Sequence, residues 1–577
     1  MIKIDNLSVA FDGPEVVKNV SFTIGDGEIL GVVGESGSGK SVTALTLMGL
    51  VAESAHVTSG EIYYDDQLLL KAGQPRNNAL YRQYQGLKMS MVFQEPMTSL
   101  NPTMKVGAQV EEVLLLHDKQ DPKAPTQSKS KAPAGNLAKS AKSESTEAKA
   151  KAEAKADAEK KQRPAKEASK NAILAWHERR VQEKEDRKRR VLEALLNVGL
   201  KDAQRVYDSY PHQLSGGMRQ RVMIAMAVIL HPGLIVADEP TTALDVTVQN
   251  QIIDLLRKIN QEQRNSLLFI THDLNLARRL CDRILVMQDG CIVEEGATED
   301  IFCDPRGDYT KKLISAVPGR TGKKKSSHGS TTPLVEVHDL NVYYRENANS
   351  LFGKTVKKCI VKDANFEVYE GEILGLVGES GCGKTTLSKA MLGLNKMIDG
   401  RIVHHSNSPQ MVFQDPYSSL NPTKTVGWLL QEPLRAQGIL DPSKAMTEKD
   451  RVAAAYDMLH KVGLKDKYYA RRPSQLSGGQ RQRISIGQAL ITRPGLVIAD
   501  EPVSALDVTI QAQILDLIRS LQEELKTAFL FISHDINVIY QVSDRIMVMK
   551  DGQILEIGET EEVFRNPQDA YTKELLR

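Results

Sequence analysis

Two short apolar runs, each followed by a glycine-rich turn and a helix-like stretch, divide this chain into two similar halves. The apolar runs cover Glu28 to Val33 and Glu372 to Val377, and the helix-like stretches cover Val42 to Leu50 and Thr386 to Leu394. An apolar run of this length, bounded by glycine, is typical of a buried strand. The sequence therefore predicts a strand, a loop and a helix in the same order in each half.

The two glycine-rich turns share the phosphate-loop pattern G-x-x-x-x-G-K-[ST]. They read Gly34-Glu35-Ser36-Gly37-Ser38-Gly39-Lys40-Ser41 and Gly378-Glu379-Ser380-Gly381-Cys382-Gly383-Lys384-Thr385. In such a loop, backbone amides at a helix N-terminus point at phosphates, the lysine adds positive charge, and the hydroxyl ligates Mg²⁺. One copy could be a structural turn, but two copies in the predicted context favour two nucleotide sites.

Further along each half, an apolar run ends in two acids, Asp238-Glu239 and Asp500-Glu501. This pattern predicts a buried parallel strand that delivers carboxylates to its C-terminal edge, where α/β sheets bind ligands. The first acid can hold Mg²⁺ through water, and the second can orient or deprotonate an attacking water. The alternative, an acid pair that only caps the next helix, is disfavoured by the upstream phosphate loops.

The spacing between motifs repeats in the two halves. Each half contains Leu-Ser-Gly-Gly, with its serine at Ser215 or Ser477, and the first acid follows that serine by 23 residues in both halves. A histidine, His272 or His534, follows the first acid by 34 residues in both halves. The second part of each half is therefore predicted to be the same structure.

Upstream of these motifs the spacing differs, which predicts an insertion in the first half. From Gln94 to the first signature serine is 121 residues, whereas from Gln414 to the second is 63. The segment Asp118 to Lys170 has 14 basic and 8 acidic side chains and one large apolar residue, Leu137. Such a segment cannot offset its ordering entropy by burial, so it is predicted to be disordered or transiently helical. A tether to anionic lipid is the alternative.

A second difference predicts a trimmed accessory sheet in the second half. Lys40 precedes Gln94 by 54 residues, but Lys384 precedes Gln414 by only 30. The missing material corresponds to the region around Glu61 to Gly86. Residues 319–332 are rich in glycine, serine, threonine and lysine, so they are predicted to link a first domain at 1–318 to a second at 333–577.

Charge and composition narrow the class of protein. The 577 residues carry a net charge of +2 and the 118–170 segment carries +6, so the rest carries −4 and lacks the basic surface typical of nucleic-acid binding. No apolar run approaches the roughly 18 residues of a membrane-spanning helix, and Met1 to Ala10 alternates without a signal-peptide core, so we expect a cytosolic chain. Five widely spaced cysteines indicate reduced thiols rather than a metal cluster.

The ordered set of phosphate loop, glutamine, Leu-Ser-Gly-Gly, strand with Asp-Glu, Ala-Leu-Asp and histidine resembles that of ABC-type ATPases over nearly the whole chain outside the insertion. The resemblance implies an α/β fold of two tandem P-loop nucleotide-binding domains. Each would have a RecA-like core, an accessory β region and a helical subdomain. It also implies ATP and Mg²⁺ as ligands, and pairing of the two halves so that each signature segment binds the nucleotide held by the other half.

The resemblance assigns roles residue by residue. Phosphate-loop ligands of ATP would be Gly34, Ser36, Gly37, Gly39, Lys40, Ser41, Gly378, Ser380, Gly381, Gly383, Lys384 and Thr385. Signature ligands would be Ser215, Gly217, Ser477 and Gly479, and the metal site would involve Ser41, Gln94, Asp238, Thr385, Gln414 and Asp500. Catalytic residues would be Glu239, His272, Gln94, Glu501, His534 and Gln414, with Asp245 and Asp507 linking the sites. Phe11 and Tyr344 are candidates for stacking on adenine, with core packing as the alternative.

Two further segments resemble the dipeptide, oligopeptide and nickel importers. These are the extended glutamine loops, Phe93–Pro102 and Phe413–Pro422, and the domain-end patterns, Asp304–Ile314 and Asn566–Leu576. The resemblance implies import of peptides or related small solutes, driven from the cytoplasmic face of the inner membrane. The partners would be two permease subunits and an extracytoplasmic solute-binding protein, with no nucleic acid. The alternative is a soluble ABC protein of the ribosome, which would have a charged linker between halves and a basic surface.

Overall fold

The computed structural model describes residues 1–117, 179–242, 244, 246–316, 332–346, 356–379, 381–406, 409–504 and 506–576. The predicted insertion at 118–170 lies outside the described residues, as do Ser380, Asp245 and all of the predicted linker except Thr332.

The first half contains ten strands and eleven helices in the described ranges. The strands are β1 Ile2–Phe11, β2 Glu15–Ile24, β3 Ile29–Val33, β4 Ala55–Tyr64, β5 Gln67–Lys71, β6 Met89–Val92, β7 Leu234–Asp238, β8 Ser266–Thr271, β9 Arg283–Gln288 and β10 Cys291–Ala297. The helices are α1 Lys40–Leu47, α2 Asn78–Tyr84, α3 Pro96–Ser99, α4 Val106–His117, α5 179–197, α6 Ala203–Asp208, α7 Gly216–Val228, α8 Val246–Gln263, α9 Leu274–Leu280, α10 Thr298–Cys303 and α11 Asp308–Ser315.

The second half repeats this order with fewer elements in its described ranges. Its strands are β11 Pro333–Glu346, β12 Val356–Tyr369, β13 Ile373–Val377, β14 Ile398–His404, β15 Gln410–Val412, β16 Leu496–Asp500, β17 Ala528–Ile532, β18 Arg545–Lys550 and β19 Gln553–Glu559. Its helices are α12 Lys384–Met391, α13 Pro416–Ser419, α14 Val426–Leu440, α15 Glu448–Lys461, α16 Gly478–Leu490, α17 Val508–Leu525, α18 Ile536–Val542, α19 Thr560–Arg565 and α20 Ala570–Leu575.

A six-stranded sheet forms the centre of each half, in the order β10-β9-β3-β8-β7-β6 and β19-β18-β13-β17-β16-β15. Five strands of each sheet are parallel, and the last hairpin strand, β10 or β19, is antiparallel to its neighbour. All five residues of β7 and of β16 are buried, as predicted for the strands that precede the acid pairs. The α/β fold class is confirmed.

The central sheet is covered on both faces. Ile29 and Val33 of β3 belong to a core shared with the helices, while Leu30 and Val32 belong to a core shared with the accessory sheet. Alternate residues of a strand point to opposite faces, so the short apolar run packs into two cores at once. The same division holds in the second half.

The predicted trimming of the second accessory sheet is confirmed for the described residues. The first accessory sheet has four strands, in the order β2-β1-β4-β5, whereas the second has three, β12-β11-β14. Neither β5 nor α2 has a counterpart among the described residues between α12 and β15.

The predicted helix at Val42–Leu50 is shorter than expected. α1 ends at Leu47, and Gly49 follows with a φ of 66°, in the left-handed region that ends helices. No helix among the described residues is both long and apolar enough to cross a lipid bilayer.

The strand register collects the motif residues at one edge of the sheet. Val33 pairs with Thr271, and Asp238 pairs with Ile270, so β3, β7 and β8 end side by side. The phosphate loop, the acid pair and His272 follow these three strands directly. The parallel arrangement therefore brings residues that are more than 200 positions apart to a single site.

Candidate nucleotide site

The first phosphate loop is held closed by its own lysine. Lys40 is only 4% exposed, and its Nζ donates hydrogen bonds to the carbonyl oxygens of Gly34 at 2.9 Å and Glu35 at 2.7 Å, and to Ser38 Oγ at 3.3 Å. Burial lowers the pKa of Lys40, although nearby carboxylates oppose this shift. Gly39 precedes α1 with a φ of 98°, and a Cβ there would lie 2.9 Å from the Val16 carbonyl oxygen, so glycine is required.

The second phosphate loop has the same internal contacts. Lys384 Nζ donates to the carbonyl oxygens of Gly378 at 2.7 Å and Glu379 at 2.9 Å, and lies 4.0 Å from Cys382 Sγ. Burial raises the pKa of the Cys382 thiol. Desolvation outweighs the neighbouring ammonium, so the thiol is not activated. A small side chain filling a serine-sized space fits this position.

The loop hydroxyls meet the first acid of each pair. Ser41 Oγ donates to Asp238 Oδ1 at 2.9 Å, and Thr385 Oγ1 donates to Asp500 Oδ2 at 3.0 Å. Burial raises the pKa of both aspartates. A hydroxyl and a carboxylate beside a phosphate loop are the hard oxygen donors that Mg²⁺ prefers, so this donor set fits the metal.

The second acid of the first half is the meeting point of three polar side chains. Glu239 Oε2 accepts hydrogen bonds from Gln94 Nε2 at 3.0 Å and Thr242 Oγ1 at 3.0 Å, and lies 3.2 Å from His272 Nδ1. Glu239 also has a φ of 44°, an uncommon value for a residue other than glycine. This backbone strain at the end of a buried strand is characteristic of functional sites.

The Glu239–His272 contact determines the charge of both groups. Burial opposes ionisation of Glu239, but the contact with His272 outweighs it and lowers the pKa of Glu239. Burial likewise opposes protonation of His272, but the contact with Glu239 outweighs it and raises the pKa of His272. The carboxylate is therefore ionised near neutral pH.

The second half repeats this arrangement with two changes, one of which is that Ser504 Oγ, at the position of Thr242, donates to the Glu501 backbone carbonyl oxygen at 3.2 Å. Glu501 has a φ of 47°, Gln414 Nε2 donates to its Oε2 at 2.8 Å, and His534 Nδ1 lies 3.2 Å from its Oε1. The two partners thus reach different oxygens, whereas in the first half they share one. The pKa of Glu501 is lowered and that of His534 raised, because their contact outweighs burial in both cases.

The signature residues lie at helix starts. Ser215 and Ser477 are exposed N-cap residues of α7 and α16, and their hydroxyls accept from the amides of residues three positions on, at 3.3 and 3.4 Å. Gly217 has a packing reason of its own, because a Cβ there would lie 2.5 Å from Val248 in α8. Gly479 similarly approaches Ile510, at 2.6 Å from the position of its missing Cβ.

One hydrogen bond crosses between the halves at the first phosphate loop. The Ser36 backbone N–H donates to Asp507 Oδ1 at 3.0 Å, although the two residues are 471 positions apart. Asp507 precedes α17 in the second half and is the residue that the resemblance assigned to linking the two sites.

The two aromatic candidates lie outside the hydrophobic cores. Phe11 ends β1 half-buried and Tyr344 is 41% exposed, and neither packs in the core clusters of the described residues. Core packing, the alternative weighed for these residues, is therefore not supported. The β1–β2 turn after Phe11 leads to Val16, whose carbonyl oxygen faces Gly39 of the phosphate loop.

Sequence reasoning assigned no role to two tyrosines that contact the phosphate loops. The backbone N–H of Glu35 donates to Tyr309 Oη, and the backbone N–H of Glu379 donates to Tyr571 Oη, both at 3.2 Å. The available signal was that both tyrosines occupy the same position in the repeated domain-end pattern. Thr242, the third partner of Glu239, was also missed, although a hydroxyl residue follows the second acid by three positions in both halves, as Thr242 and Ser504.

Family comparisons agree with this geometry. The sequence profile described as "ABC transporter" matches residues 17–242 and 361–504, and the profile described as "Oligopeptide/dipeptide transporter, C-terminal region" matches residues 293–341. The chain is 37% identical to proteins named "Glutathione import ATP-binding protein GsiA" from Escherichia coli (strain K12) and Pectobacterium atrosepticum. Each alignment covers 100% of this chain and 89% of the relative.

Solved structures add evidence on the fold. The chain resembles a structure titled "RNase-L Inhibitor" with a TM-score of 0.58 and 20% identity, over 97% of this chain and 92% of the other. A complex containing an archaeal ribosome recycling factor gives a TM-score of 0.57, also at 20% identity, over 95% of this chain and 89% of the other. At this identity the likeness concerns the fold alone, so the ribosomal alternative is less supported than import. The chain belongs to the ABC transporter family, as an ATPase that binds ATP with Mg²⁺ and is coupled to solute transport.

Proposed function

We propose that this chain powers the import of di- or oligopeptides, or related small solutes, through separate permease subunits in the membrane. The peptide-transporter profile at residues 293–341 and the glutathione-import relatives support this solute class. Glutathione, a tripeptide, falls within it. We place the domains at 1–318 and 333–577, joined by a linker at 319–332, with an insertion at about 118–170.

Within each half, the phosphate loop and the adjacent acids bind Mg-ATP. The loop amides and Lys40 or Lys384 hold the phosphates, while Ser41 or Thr385 and the neighbouring aspartate hold Mg²⁺, directly or through water. When bound there, Mg²⁺ would neutralise charge on the phosphates. Phe11 and Tyr344 stack on adenine, and their exposure outside the cores supports this role. Ser380 takes the position of Ser36 in the second loop.

Glu239 and Glu501 act as general bases on the attacking water. Each is ionised near neutral pH and lies within hydrogen-bond reach of a glutamine and a histidine. Gln94 and Gln414 orient the water and sense the metal, and His272 and His534 hold the terminal phosphate. The histidine keeps the carboxylate oriented, which the observed 3.2 Å contacts support.

The observation that carries the architecture of the site is the hydrogen bond from Ser36 to Asp507. It joins a phosphate loop of one half to the segment before α17 of the other half, as a head-to-tail pairing requires. Site one then combines the first phosphate loop with Ser477 and Gly479, and site two combines the second loop with Ser215 and Gly217. ATP binding at both sites closes the halves, and hydrolysis reopens them.

The partners are two permease subunits and an extracytoplasmic solute-binding protein, which place the chain at the cytoplasmic face of the inner membrane. Phe93, Met97 and Phe413 beside the glutamine loops are 41%, 61% and 47% exposed. Exposed apolar side chains at this position support docking of permease helices. Nucleic acid has no part in this function.

Crossed lesions test the pairing of the halves. Lys40→Ala and Ser477→Arg both act on site one, so their combination should lose little beyond the worse single variant, because residues acting as one unit are not additive. Lys40→Ala with Ser215→Arg damages both sites and should abolish residual turnover. Rates are measured at saturating ATP with the permease partners present.

Ser474→Arg is the matched control for the added charge, since Ser474 is exposed but precedes the signature helix by four positions. It should leave turnover near that of the parent. The head-to-tail arrangement would be refuted if Ser215→Arg with Lys40→Ala behaved as one lesion while Ser477→Arg with Lys40→Ala abolished turnover. Loss of peptide uptake by cells carrying the inactive double variant, with other solutes unaffected, tests the solute class.

A further inference from the structure

The segment that follows each cassette returns to the phosphate loop through a tyrosine. Tyr309 lies in the first turn of α11, and Tyr571 in the first turn of α20. Their hydroxyls accept the hydrogen bonds from Glu35 and Glu379, across sequence separations of 274 and 192 residues. Tyr309 falls inside the region matched by the peptide-transporter C-terminal profile.

The turn before each tyrosine is anchored by a carboxylate from the antiparallel edge strand. Glu294 of β10 accepts hydrogen bonds from the backbone amides of Arg306 at 2.8 Å and Gly307 at 3.0 Å. Glu556 of β19 accepts from the amides of Gln568 at 2.9 Å and Asp569 at 3.2 Å. The same device therefore fixes the start of the tyrosine helix in both halves.

Each tyrosine is also held by its surroundings. Tyr309 is half-buried, and Tyr571 is 6% exposed with the Lys550 ammonium 4.2 Å from its ring centroid. Leu313, one turn after Tyr309, is 3% exposed and belongs to the main core of the first half. A hydroxyl on a packed ring can hold a backbone amide in one orientation, because little rotamer freedom remains to be lost.

In the first half, two neighbouring amides of the loop are held by residues from different halves of the chain. The Glu35 amide meets Tyr309 of its own half, and the next amide, that of Ser36, meets Asp507 of the other half. Glu35 and Ser36 form the part of the loop that precedes Gly37. The following residues lead into α1, whose N-terminal amides point at the phosphates.

We propose that Tyr309 and Tyr571 are positioning residues for ATP binding, through which the C-terminal region of each half sets the conformation of its phosphate loop. This inference rests on the proposed phosphate-binding role of the two loops. The tyrosine hydroxyl fixes the peptide plane between the first and second loop residues. Without it this plane is held only through its carbonyl oxygen, which accepts from the loop lysine, and the amides that follow are less well aligned toward the phosphates.

The test compares Tyr309→Phe, Tyr571→Phe and their combination with the parent chain. Phenylalanine keeps the ring packing and removes only the hydroxyl. Since the loss of one hydrogen bond changes an equilibrium constant by roughly 2- to 10-fold, the Kd and KM for MgATP should rise by that factor at the altered site. The turnover number at saturating ATP should stay within about twofold of the parent, because the catalytic residues are unchanged.

Tyr64→Phe is the matched control. Tyr64 Oη donates to the Lys88 carbonyl oxygen at 3.2 Å, so this variant also loses one tyrosine hydrogen bond, beside the residues that precede β6 and β7 and not at the C-terminal edge of the central sheet. Its Kd for MgATP should equal that of the parent. An unchanged Kd in Tyr309→Phe and Tyr571→Phe, a fall in turnover without a change in KM, or an equal rise of Kd in Tyr64→Phe would each overturn the proposal.

A further pair of lesions separates this inference from the function on which it rests. Lys40→Ala with Lys384→Ala should abolish MgATP binding if the loops hold the phosphates. If that variant bound MgATP as tightly as the parent, the proposed nucleotide site itself would be wrong. If it lost binding while both phenylalanine variants bound normally, only the role of the tyrosines would fail.

Discussion

The two halves of the chain agree closely at the nucleotide site and differ at its periphery. In both, the lysine bonds the same two loop carbonyls at 2.7 to 2.9 Å, the loop hydroxyl meets the aspartate at 2.9 or 3.0 Å, and the histidine lies 3.2 Å from the glutamate. The strand order of the central sheet is also identical. The geometry is thus kept wherever side chains converge on the phosphate loop.

Away from the loop, the second half has lost a strand and a helix, and the first half has gained a long segment in its sequence. These changes occur in the accessory sheet and between the helices α4 and α5. A sheet edge and a surface connection can change length without moving the C-terminal edge of the central strands. The comparison teaches that the nucleotide site depends on the parallel sheet, whereas the layers that cover this sheet can vary.

The largest expected effect tests whether the two glutamates accept the proton of the attacking water. Glu239→Gln and Glu501→Gln together should lower the rate of ATP hydrolysis by about 10²-fold or more, because the amide cannot accept the proton of the attacking water. MgATP binding should be retained. Steady-state hydrolysis and equilibrium binding are measured on the full chain with its permease partners.

The single variants sharpen this comparison. Since each glutamate has the same strained backbone and the same two partners, each single change should lower turnover to a similar extent. Glu262→Gln and Glu524→Gln, exposed glutamates at equivalent positions of α8 and α17, are the controls and should hydrolyse ATP like the parent. A double variant of Glu239 and Glu501 with near-parent turnover would exclude the general-base role.

Much of the fold could be predicted from the sequence because the motif spacings of the two halves can be compared with each other. The repeated spacing from signature serine to acid to histidine predicted identical second parts, and the unequal spacings predicted the trimmed accessory sheet. Each parallel strand needs a crossover connection, so an equal spacing indicates the same connecting elements and an unequal spacing indicates an added or missing element. Buried strands such as β7 could be predicted because a short, continuous apolar run is typical of a parallel strand that is buried on both faces.

Other features could not be predicted, because they depend on tertiary contacts. α1 ends at Leu47 because Gly49 adopts a left-handed conformation beside the Tyr81 ring. Tyr81 lies in α2, which no sequence motif marks. The positive φ of Glu239 depends on its N–H reaching the Ile270 carbonyl oxygen at 2.9 Å. The repeated tyrosine position shows that Tyr309 and Tyr571 are equivalent, but it does not show that their hydroxyls contact loop amides 274 and 192 residues away.

A smaller effect is expected from pH on the histidine–glutamate contacts. The pKa of His534 is raised above its ordinary 6.5, so its contribution to stability is complete below about pH 6.5 and is lost as pH rises through the raised value. The pKa of Glu501 is lowered below 4.5, so its contribution is present above about pH 4.5 and is lost as pH falls through the lowered value. The contact therefore stabilises most between these limits.

His534→Gln tests this pH range, and comparison with His272→Gln tests whether the two halves respond alike. The variant should lower the free energy of unfolding by about 1 kcal/mol or less near pH 5.5, and the difference should shrink as pH rises through the raised pKa of His534. Denaturant unfolding at a series of pH values measures it, with His460→Gln, an exposed histidine of α15, as the control variant. A difference that grows with rising pH would contradict the assigned direction of the pKa shifts.

The smallest expected effect concerns Ser38 and Cys382, one of the two positions at which the sequences of the phosphate loops differ. Ser38 and Cys382 both lie beside the loop lysine, with Oγ 3.3 Å and Sγ 4.0 Å from its Nζ. Cys382 is 7% exposed, and its pKa is raised by burial, so the thiol is neutral and unreactive near neutral pH. Cys382→Ser should therefore change the free energy of unfolding by less than about 0.5 kcal/mol and leave ATPase activity within about twofold.

A maleimide reagent should modify the exposed Cys303 well before Cys382, as mass spectrometry of the labelled peptides would show. The reciprocal Ser38→Cys variant should behave in the same way, because the two loops hold their lysines alike. If Cys382 reacted first, or if Cys382→Ser lowered the turnover of its half more than Ser38→Cys does, the thiol would have a role that the first half lacks, and the two nucleotide sites would not be equivalent.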